Sequence, residues 1–132
     1  MYAIKELNLQ ILRQKIDNLD SVIKTELDLL SKMNHKNIVK YYGYSKINNN
    51  LNIVLEYCSK GSLLSLLIDF KHFEENMIKK YMSQILDGLE YLHFHNIIHR
   101  DIKCANILLD KDVNCKLTDF GAAKIMKEEM TI

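Results

Sequence analysis

The interpretation of this chain rests on the stretch His99-Arg100-Asp101-Ile102-Lys103-Cys104-Ala105-Asn106, followed thirteen residues after Asn106 by Asp119-Phe120-Gly121. Asp101 has the chemistry to accept a hydroxyl proton, and Lys103 lies two residues on, where its cation can support a phosphate. Asn106 and Asp119 supply oxygen ligands of the kind that bind a metal ion. Phosphoryl transfer needs mainly a metal ion, a cation and a base held in place, so this spacing predicts that chemistry.

Length, charge and composition limit the classes of protein to which this chain can belong. The 132 residues suit a single domain, and 18 basic against 17 acidic residues give a formal charge of +1. No basic face is indicated, which argues against nucleic acid as a partner. The three cysteines lack metal-type spacing and predict reduced thiols. No apolar run approaches the ~18 residues of a membrane span, so we expect a cytoplasmic or nuclear protein that does not enter the membrane.

The N-terminal half alternates strand and helix patterns. The predicted elements are a strand over 2–8, a helix over 18–33, and strands over 38–44 and 51–57 joined as a hairpin with a longer loop around 48–50. Asn18 or Asp20 is the expected N-cap of the helix. Taken alone, Lys5 in the first strand is a surface lysine and Glu26 in the helix is a solvated charge.

The C-terminal half begins with Gly61 as a loop residue and Ser62 as a candidate N-cap. The clearest amphipathic pattern predicts a helix from about Glu74 to His95, ~30 Å long, with Asn96 as a left-handed C-cap. Two short strands, 107–109 and 115–118, are predicted around a turn at 110–112.

The pair H-R-D-x-x-x-x-N and D-F-G resembles the catalytic and metal-binding motifs of eukaryotic protein kinases. The resemblance covers essentially the whole chain. It implies an α+β, bilobal, protein-kinase-like fold seen in part: N-lobe strands three to five with helix αC over 1–55, a hinge over 56–62, and the start of the helical C-lobe through D-F-G over 63–132. Residues 99–106 and 117–123, with the segments Glu56-Tyr57-Cys58 and Gly61-Ser62-Leu63, are similar to the mitogen-activated protein kinase kinase kinases and cell-division-cycle-type kinases, although Cys104 replaces their usual glycine. Lys103 after H-R-D-I is typical of serine/threonine kinases.

The resemblance implies roles for individual residues, with ATP and Mg²⁺ as cofactors. Asp101 would be the base, Lys103 would support the γ-phosphate, and Lys5 paired with Glu26 would hold the α- and β-phosphates. The residues implied for the metal and the nucleoside are Asn106 and Asp119 for Mg²⁺, Ala3 and Leu108 on either side of adenine, Leu55 as gatekeeper, Glu56 and Cys58 as hinge backbone groups, and Ser62 near the ribose.

The function implied is an ATP-dependent protein serine/threonine kinase of a signalling cascade, with protein substrates and an activator or scaffold left open. The chain has no G-x-G-x-x-G segment about twenty residues before Lys5 and no A-P-E motif after Gly121. We therefore expect a partial sequence that is inactive alone. Thr131 is a candidate phosphorylated partner of Arg100. The alternative is a non-catalytic, kinase-derived interaction module.

Overall fold

A computed structural model describes residues 1–126, which form two compact units. The first contains residues 1–34 and 40–57, and the second contains residues 35–39 and the chain from Cys58 onward. The described sheets are all antiparallel and are accompanied by helices, so the α+β class is confirmed. The predicted boundaries at 55, 56–62 and 63 stay a prediction.

The first unit is built on a three-stranded antiparallel sheet of order β1-β3-β2. Its strands are β1 (Tyr2–Asn8), β2 (Tyr41–Ile47) and β3 (Asn50–Glu56). Along β1 the side chains of Ala3, Lys5 and Leu7 are half-buried while their neighbours are exposed, as strand alternation predicts. The strand predicted over 2–8 is confirmed, and one face of it can present Lys5 to a neighbouring helix.

The predicted hairpin exists, but its bounds and its loop were wrong. β2 begins at Tyr41, not at residue 38, because Val39 N–H donates to the Leu117 carbonyl (2.9 Å) and Leu117 N–H donates to the Asn37 carbonyl (2.8 Å). These bonds attach the 35–39 segment to the second unit. The loop contains only residues 48 and 49, and Asn48 adopts the positive φ of 55° that such tight hairpin loops require.

Two helices accompany this sheet. The short helix α1 (Leu9–Arg13) was not predicted; the Asn8 side chain caps it by accepting from Ile11 N–H at 3.1 Å. A five-residue helix with one buried residue, Leu9, carries too little periodic signal to be found in the sequence.

The second helix, α2 (Leu19–Lys32), confirms the predicted helix with a boundary shift of one residue at each end. Its predicted side-chain cap is wrong: Asn18 occupies the N-cap position in a left-handed conformation (φ 57°) and makes no capping bond. Asp20 instead forms an ion pair with Arg13, 3.6 Å between Oδ1 and Nη2. Leu19, Leu27 and Leu30 form part of the buried face.

As far as residue 126, the second unit contains two helices, two pairs of short strands and one 3₁₀ turn. These are α3 (Leu63–Phe70), α4 (Glu75–Phe94), β4 (Ile97–Ile98) paired with β7 (Lys124–Ile125), a 3₁₀ turn (Cys104–Asn106), and β5 (Ile107–Leu109) paired with β6 (Cys115–Leu117). The long helix is confirmed, and Asn96 adopts the expected left-handed conformation (φ 57°). Strand β6 ends one residue earlier than predicted.

Helix α4 packs its buried residues, including Tyr81, Ile85 and Leu92, toward β6. Gly88 allows the closest approach, because a Cβ there would lie 3.0 Å from Leu117 Cδ1. The Gln84 side chain accepts from Cys115 N–H at 2.8 Å and so joins helix and strand by a hydrogen bond. Across residues 1–126, no helix combines the length and apolar character that crossing a membrane requires.

Candidate functional site

The H-R-D loop gathers three of the predicted site residues in the second unit. Asn106 in the 3₁₀ turn is buried, and its Nδ2 donates both to the Asp101 carbonyl and to Asp101 Oδ2, each at 2.9 Å. Lys103 Nζ lies 3.4 Å from Asp101 Oδ1. The Asp101 carboxylate is therefore held on one oxygen by an amide and on the other by a cation.

These contacts orient the two groups for different tasks. Because Asn106 uses its Nδ2 atom toward Asp101, its Oδ1 atom is the one suited to bind a cation. The Asp101 side chain remains 38% exposed, so a hydroxyl group from outside can reach it. A carboxylate held this firmly and still accessible is suited to accept a proton.

His99 fixes the backbone beneath this carboxylate. The side chain is almost fully buried, and its Nδ1 accepts from Asp101 N–H at 3.2 Å. Since Nδ1 is the acceptor, Nε2 carries the hydrogen and donates to the Thr118 carbonyl at 2.8 Å. The ring also contacts Phe120 edge-on, with centroids 4.9 Å apart. One imidazole thus links the loop of Asp101 to the segment that carries Asp119.

Asp119 follows the end of β6 in a left-handed conformation, φ 61°, with an exposed side chain. The preceding residue, Thr118, donates its N–H to the Asn106 carbonyl at 3.1 Å. The backbones that carry the two predicted metal ligands, Asn106 and Asp119, are therefore joined directly. An amide oxygen and a carboxylate are hard oxygen donors of the kind Mg²⁺ takes, so this donor set fits the ion.

Arg100 also has a positive φ, 65°, and its Nε donates to the Ala122 carbonyl. This bond ties the H-R-D loop to the chain just after Gly121. The suggested partner of Arg100, Thr131, lies outside the described residues.

The predicted hinge residues of the second unit lie along β5. Gly61 (φ 75°) turns the chain, and its carbonyl accepts from Leu109 N–H at 2.9 Å. Ser62 pairs with Leu108 in an isolated bridge and caps α3, accepting from Ser65 N–H at 3.0 Å in a reciprocal capping box. Cys58, whose carbonyl accepts from Gly61 N–H, is buried. The structure thus brings Ser62 and Leu108 together, with Cys58 close by in the chain, and confirms the predicted cap.

The first unit holds the remaining site residues. Lys5 Nζ lies 3.6 Å from Glu26 Oε1, and the Glu26 side chain is only 16% exposed. Leu55 on β3 is the register partner of Ala3 on β1. Glu56 ends β3, where its Oε2 accepts from Lys40 N–H at 3.1 Å. The fold therefore brings Lys5 and Glu26, which are 21 positions apart in the sequence, together as an ion pair.

Sequence spacing did not identify every role at this site. It assigned Asn106 to a metal ion but did not indicate that its amide also holds Asp101. The hydrogen bond from His99 to Thr118 was missed as well, because the partner is a backbone carbonyl and no side-chain pattern marks it.

Comparison with known families decides the relationship. A family model described as the protein kinase domain matches residues 1–131. The chain belongs to the protein kinase domain family. The kinase-like fold implied by H-R-D and D-F-G is thereby confirmed.

Individual relatives point the same way. The kinase chain is 55% identical over 102 residues (77% of its length) to the cytokinesis protein sepH of Aspergillus niger. It is 53% identical over 103 residues (78%) to cell division control protein 7 of Schizosaccharomyces pombe. It is 45% identical over 128 residues (96%) to MAP3K epsilon protein kinase 1 of Arabidopsis thaliana. The resemblance to cell-division and MAP3K-type kinases is confirmed, and the matched segments span 8%, 10% and 9% of these relatives.

Proposed function

We propose that this kinase-domain chain carries the catalytic loop of an ATP-dependent protein serine/threonine kinase. The observation that supports this best is the Asp101 carboxylate, held by Asn106 at 2.9 Å and by Lys103 at 3.4 Å while still reachable from outside. A purely structural aspartate would not need two partners that are themselves suited to phosphate and metal.

Mg-ATP is the nucleotide that the remaining residues fit. Lys5, paired with Glu26, would hold the α- and β-phosphates, and Asn106 with Asp119 would hold Mg²⁺. Bound Mg²⁺ would neutralise charge on the phosphate oxygens. The residues assigned to the adenine and ribose are Ala3, Leu55, Glu56, Cys58, Ser62 and Leu108.

In the proposed reaction, Asp101 orients a hydroxyl group of the substrate and accepts its proton. The hydroxyl oxygen forms a bond to the γ-phosphorus, and the bond from that phosphorus to the bridging oxygen breaks, releasing ADP. Lys103 supplies positive charge beside the transferred group. His99 keeps the loop of Asp101 and the segment before Asp119 in register, so that base and metal ligand stay together.

The acceptor we propose is a serine or threonine of a protein substrate. Lys103 two residues after Asp101 supports this, as does the likeness to the MAP3K epsilon kinase. The names of the relatives, which include cytokinesis and cell division control, support a signalling role. The location we propose for it is the cytoplasm. Neither nucleic acid nor a membrane is proposed as a partner.

The division of labour between the two aspartates gives the test. In a protein extended at both ends, Asp101→Asn keeps the shape and removes the base, so we expect phosphate transfer to fall by about 10²–10⁴ with Mg-ATP affinity nearly unchanged. Asp119→Asn removes an anionic metal ligand and should weaken Mg-ATP binding as well. The control, Asp112→Asn, removes the same charge from an exposed turn. Equal loss of Mg-ATP affinity in the two site variants would contradict the proposal.

Two further measurements bear on the acceptor and on the chain itself. Phosphoamino-acid analysis of a phosphorylated peptide library should show phosphoserine and phosphothreonine, and mainly phosphotyrosine would overturn the acceptor assignment.

The 132 residues contain no G-x-G-x-x-G segment, so we expect a protein extended at both ends to transfer phosphate far faster than this chain alone. Turnover of ~1–100 s⁻¹ by the chain alone would contradict that expectation.

A further inference from the structure

The segment of residues 35–39 is hydrogen-bonded along β6, and both belong to the second unit. Val39 N–H donates to the Leu117 carbonyl at 2.9 Å, and Leu117 N–H donates to the Asn37 carbonyl at 2.8 Å. The Asn37 side chain donates from Nδ2 to the Cys115 carbonyl at 2.8 Å. Asn37 therefore binds β6 at its first residue, Cys115, and at its last residue, Leu117.

The end of β6 adjoins the candidate site. The next residue, Thr118, donates its N–H to the Asn106 carbonyl at 3.1 Å, and its own carbonyl accepts from His99 Nε2 at 2.8 Å. Asp119, the proposed metal ligand, follows directly. The position of β6 therefore sets where the backbone of Asp119 lies relative to Asn106.

One imidazole holds the backbone of Asn37. The Nδ1 atom of His35 accepts from Asn37 N–H at 3.1 Å. A ring nitrogen accepts only while it carries no proton, so the neutral ring has its hydrogen on Nε2, whereas the protonated ring is a donor at both nitrogens. Uptake of one proton from water therefore turns the acceptor for Asn37 N–H into a donor that opposes it.

The surroundings of His35 keep its ring neutral near pH 7. The side chain is half-buried and stacks on Tyr91 of α4, with ring centroids 5.0 Å apart. Burial, followed by the cation of Lys36, lowers the pKa of His35; the Asp87 carboxylate on α4 raises it, and the Lys116 cation on β6 lowers it. Because Lys36 and Asp87 form an ion pair at 3.2 Å, their effects partly cancel. The folded protein therefore takes up this proton only as the pH falls below the ordinary value of 6.5.

We propose that His35 is a pH-dependent positioning residue for the segment that carries Asp119. Its neutral ring holds Asn37, Asn37 holds β6, and β6 holds the backbone that leads to Asp119. A proton on Nδ1 breaks the first of these bonds, so the 35–39 segment and β6 loosen together as the medium becomes acidic. The consequence for Mg-ATP binding rests on the proposed kinase function, whereas the loosening of β6 does not.

Amide hydrogen exchange of the whole chain measures this loosening. Exchange is compared at about pH 7.5 and about pH 5.5, after correction for the chemical exchange rate at each pH. Protection of the Asn37, Val39 and Leu117 amides should fall about tenfold at the lower pH, because a hydrogen bond that holds this segment is lost. The amides of β3, in the first unit, are the internal reference and should change less than about twofold.

Two substitutions at His35 separate its hydrogen bond from its charge. An asparagine side chain accepts from the backbone N–H two residues on and does not titrate, so His35→Asn should keep the protection high at both pH values. An arginine has a cation and no acceptor, so His35→Arg should show the low protection at both pH values. The asparagine variant carries the test even if the arginine variant disturbs folding.

Other histidines serve as matched controls. His95 also contacts Tyr91, with ring centroids 4.3 Å apart, and His72 is exposed and lies between α3 and α4. His95→Asn and His72→Asn each remove one titrating ring and should keep the pH response of the parent chain.

The effect on the candidate site is measured as Mg-ATP affinity in a protein extended at both ends. Affinity should fall more between about pH 7.5 and about pH 5.5 in the parent than in His35→Asn, by a factor of about three to ten. Protonation of ATP itself is common to both proteins and cancels in this comparison.

A parent-like loss of protection in His35→Asn would overturn the proposal, because another group would then be responsible. So would unchanged protection of Leu117 in the parent, or an equal loss in β3, which would indicate general destabilisation. Absence of Mg-ATP binding at both pH values, with the pH response of β6 intact, would count against the kinase proposal alone. Failure of the pH response and failure of the kinase assignment can therefore be told apart.

Discussion

Adding a side chain at Gly88 tests how closely α4 is packed on the segment that leads to Asp119. A Cβ at this position would lie 3.0 Å from Leu117 Cδ1 and 3.1 Å from the Asn37 carbonyl oxygen. The leucine is fully buried, and the carbonyl already accepts from Leu117 N–H at 2.8 Å. Neither neighbour can retreat without opening a packed contact or a hydrogen bond.

Two effects of opposite sign decide the result. Replacing a helical glycine by alanine favours folding by about 1 kcal/mol through helix propensity, whereas overpacking a close contact costs typically about 1–3 kcal/mol. Because one of the neighbours is a backbone carbonyl, we expect the cost of overpacking to exceed the gain in helix propensity. The free energy of unfolding should fall by about 1 kcal/mol in Gly88→Ala and by about 2–3 kcal/mol in Gly88→Val, whose two additional methyl groups have no space.

Urea unfolding followed by circular dichroism measures these changes. Ser83 is an exposed position of the same helix, so Ser83→Ala and Ser83→Val report helix propensity without packing, and both should stay within about 0.5 kcal/mol of the parent. A Gly88→Ala variant that gained the full ~1 kcal/mol of helix propensity would refute the reasoning, because it would show that the contacts are not tight.

A substitution at Gly88 should also affect the candidate site. Leu117 ends β6, and the next residue, Thr118, bonds to the Asn106 and His99 groups that position the loop. Gly88→Val is therefore expected to weaken Mg-ATP binding under conditions where the protein remains folded. Unchanged Mg-ATP affinity in Gly88→Val would show that β6 shifts to accommodate the valine without displacing Asp119.

Burial lowers the pKa of His35, so the unfolded chain binds the proton more tightly and the folded state loses stability as the pH falls below about 6.5. His35→Phe keeps a ring against Tyr91, where the parent ring centroids are 5.0 Å apart, but the new ring does not titrate. Urea unfolding between about pH 5 and 8 should therefore show a weaker dependence of the free energy of unfolding on pH in the variant. An equal dependence in both proteins would contradict the assignment to His35. Burial raises the pKa of Cys115 to about 11, so iodoacetamide should label the half-buried Cys104 well before Cys115 in the folded chain, as mass spectrometry can follow. Ser62→Ala removes the N-cap of α3 and should lower the free energy of unfolding by about 1 kcal/mol; no change would indicate that the cap contributes nothing.

Local pattern in the sequence was enough for most of the secondary structure. The strand over 2–8 and the long helix up to residue 94 were found because alternation and three-to-four spacing are properties of neighbouring residues. The loop of Asp101, Lys103 and Asn106 was found for a related reason. Its members lie within six residues, so a short segment carries the whole motif.

Boundaries that depend on distant partners were predicted poorly. Ile38 and Val39 have the β-branched character of the strand they precede, and sequence alone extended β2 to include them. In the fold, Val39 bonds to the Leu117 carbonyl, and Asn37 Nδ2 donates to the Cys115 carbonyl at 2.8 Å. These partners are about 78 positions away, a distance at which periodicity carries no information.

Residue types and their spacing were therefore enough to predict the family, the order of the longer elements and the residue types of the candidate site. The fold brings the expected pair of Lys5 and Glu26 to 3.6 Å, but the tertiary structure was needed to show that Asn106 holds the Asp101 carboxylate and that residues 37 and 39 bond to β6. The physical reason is that periodicity and motif spacing express the preferences of the local chain. Ion pairs, shared hydrogen bonds and cavities depend instead on where separate elements stop when their buried faces pack together.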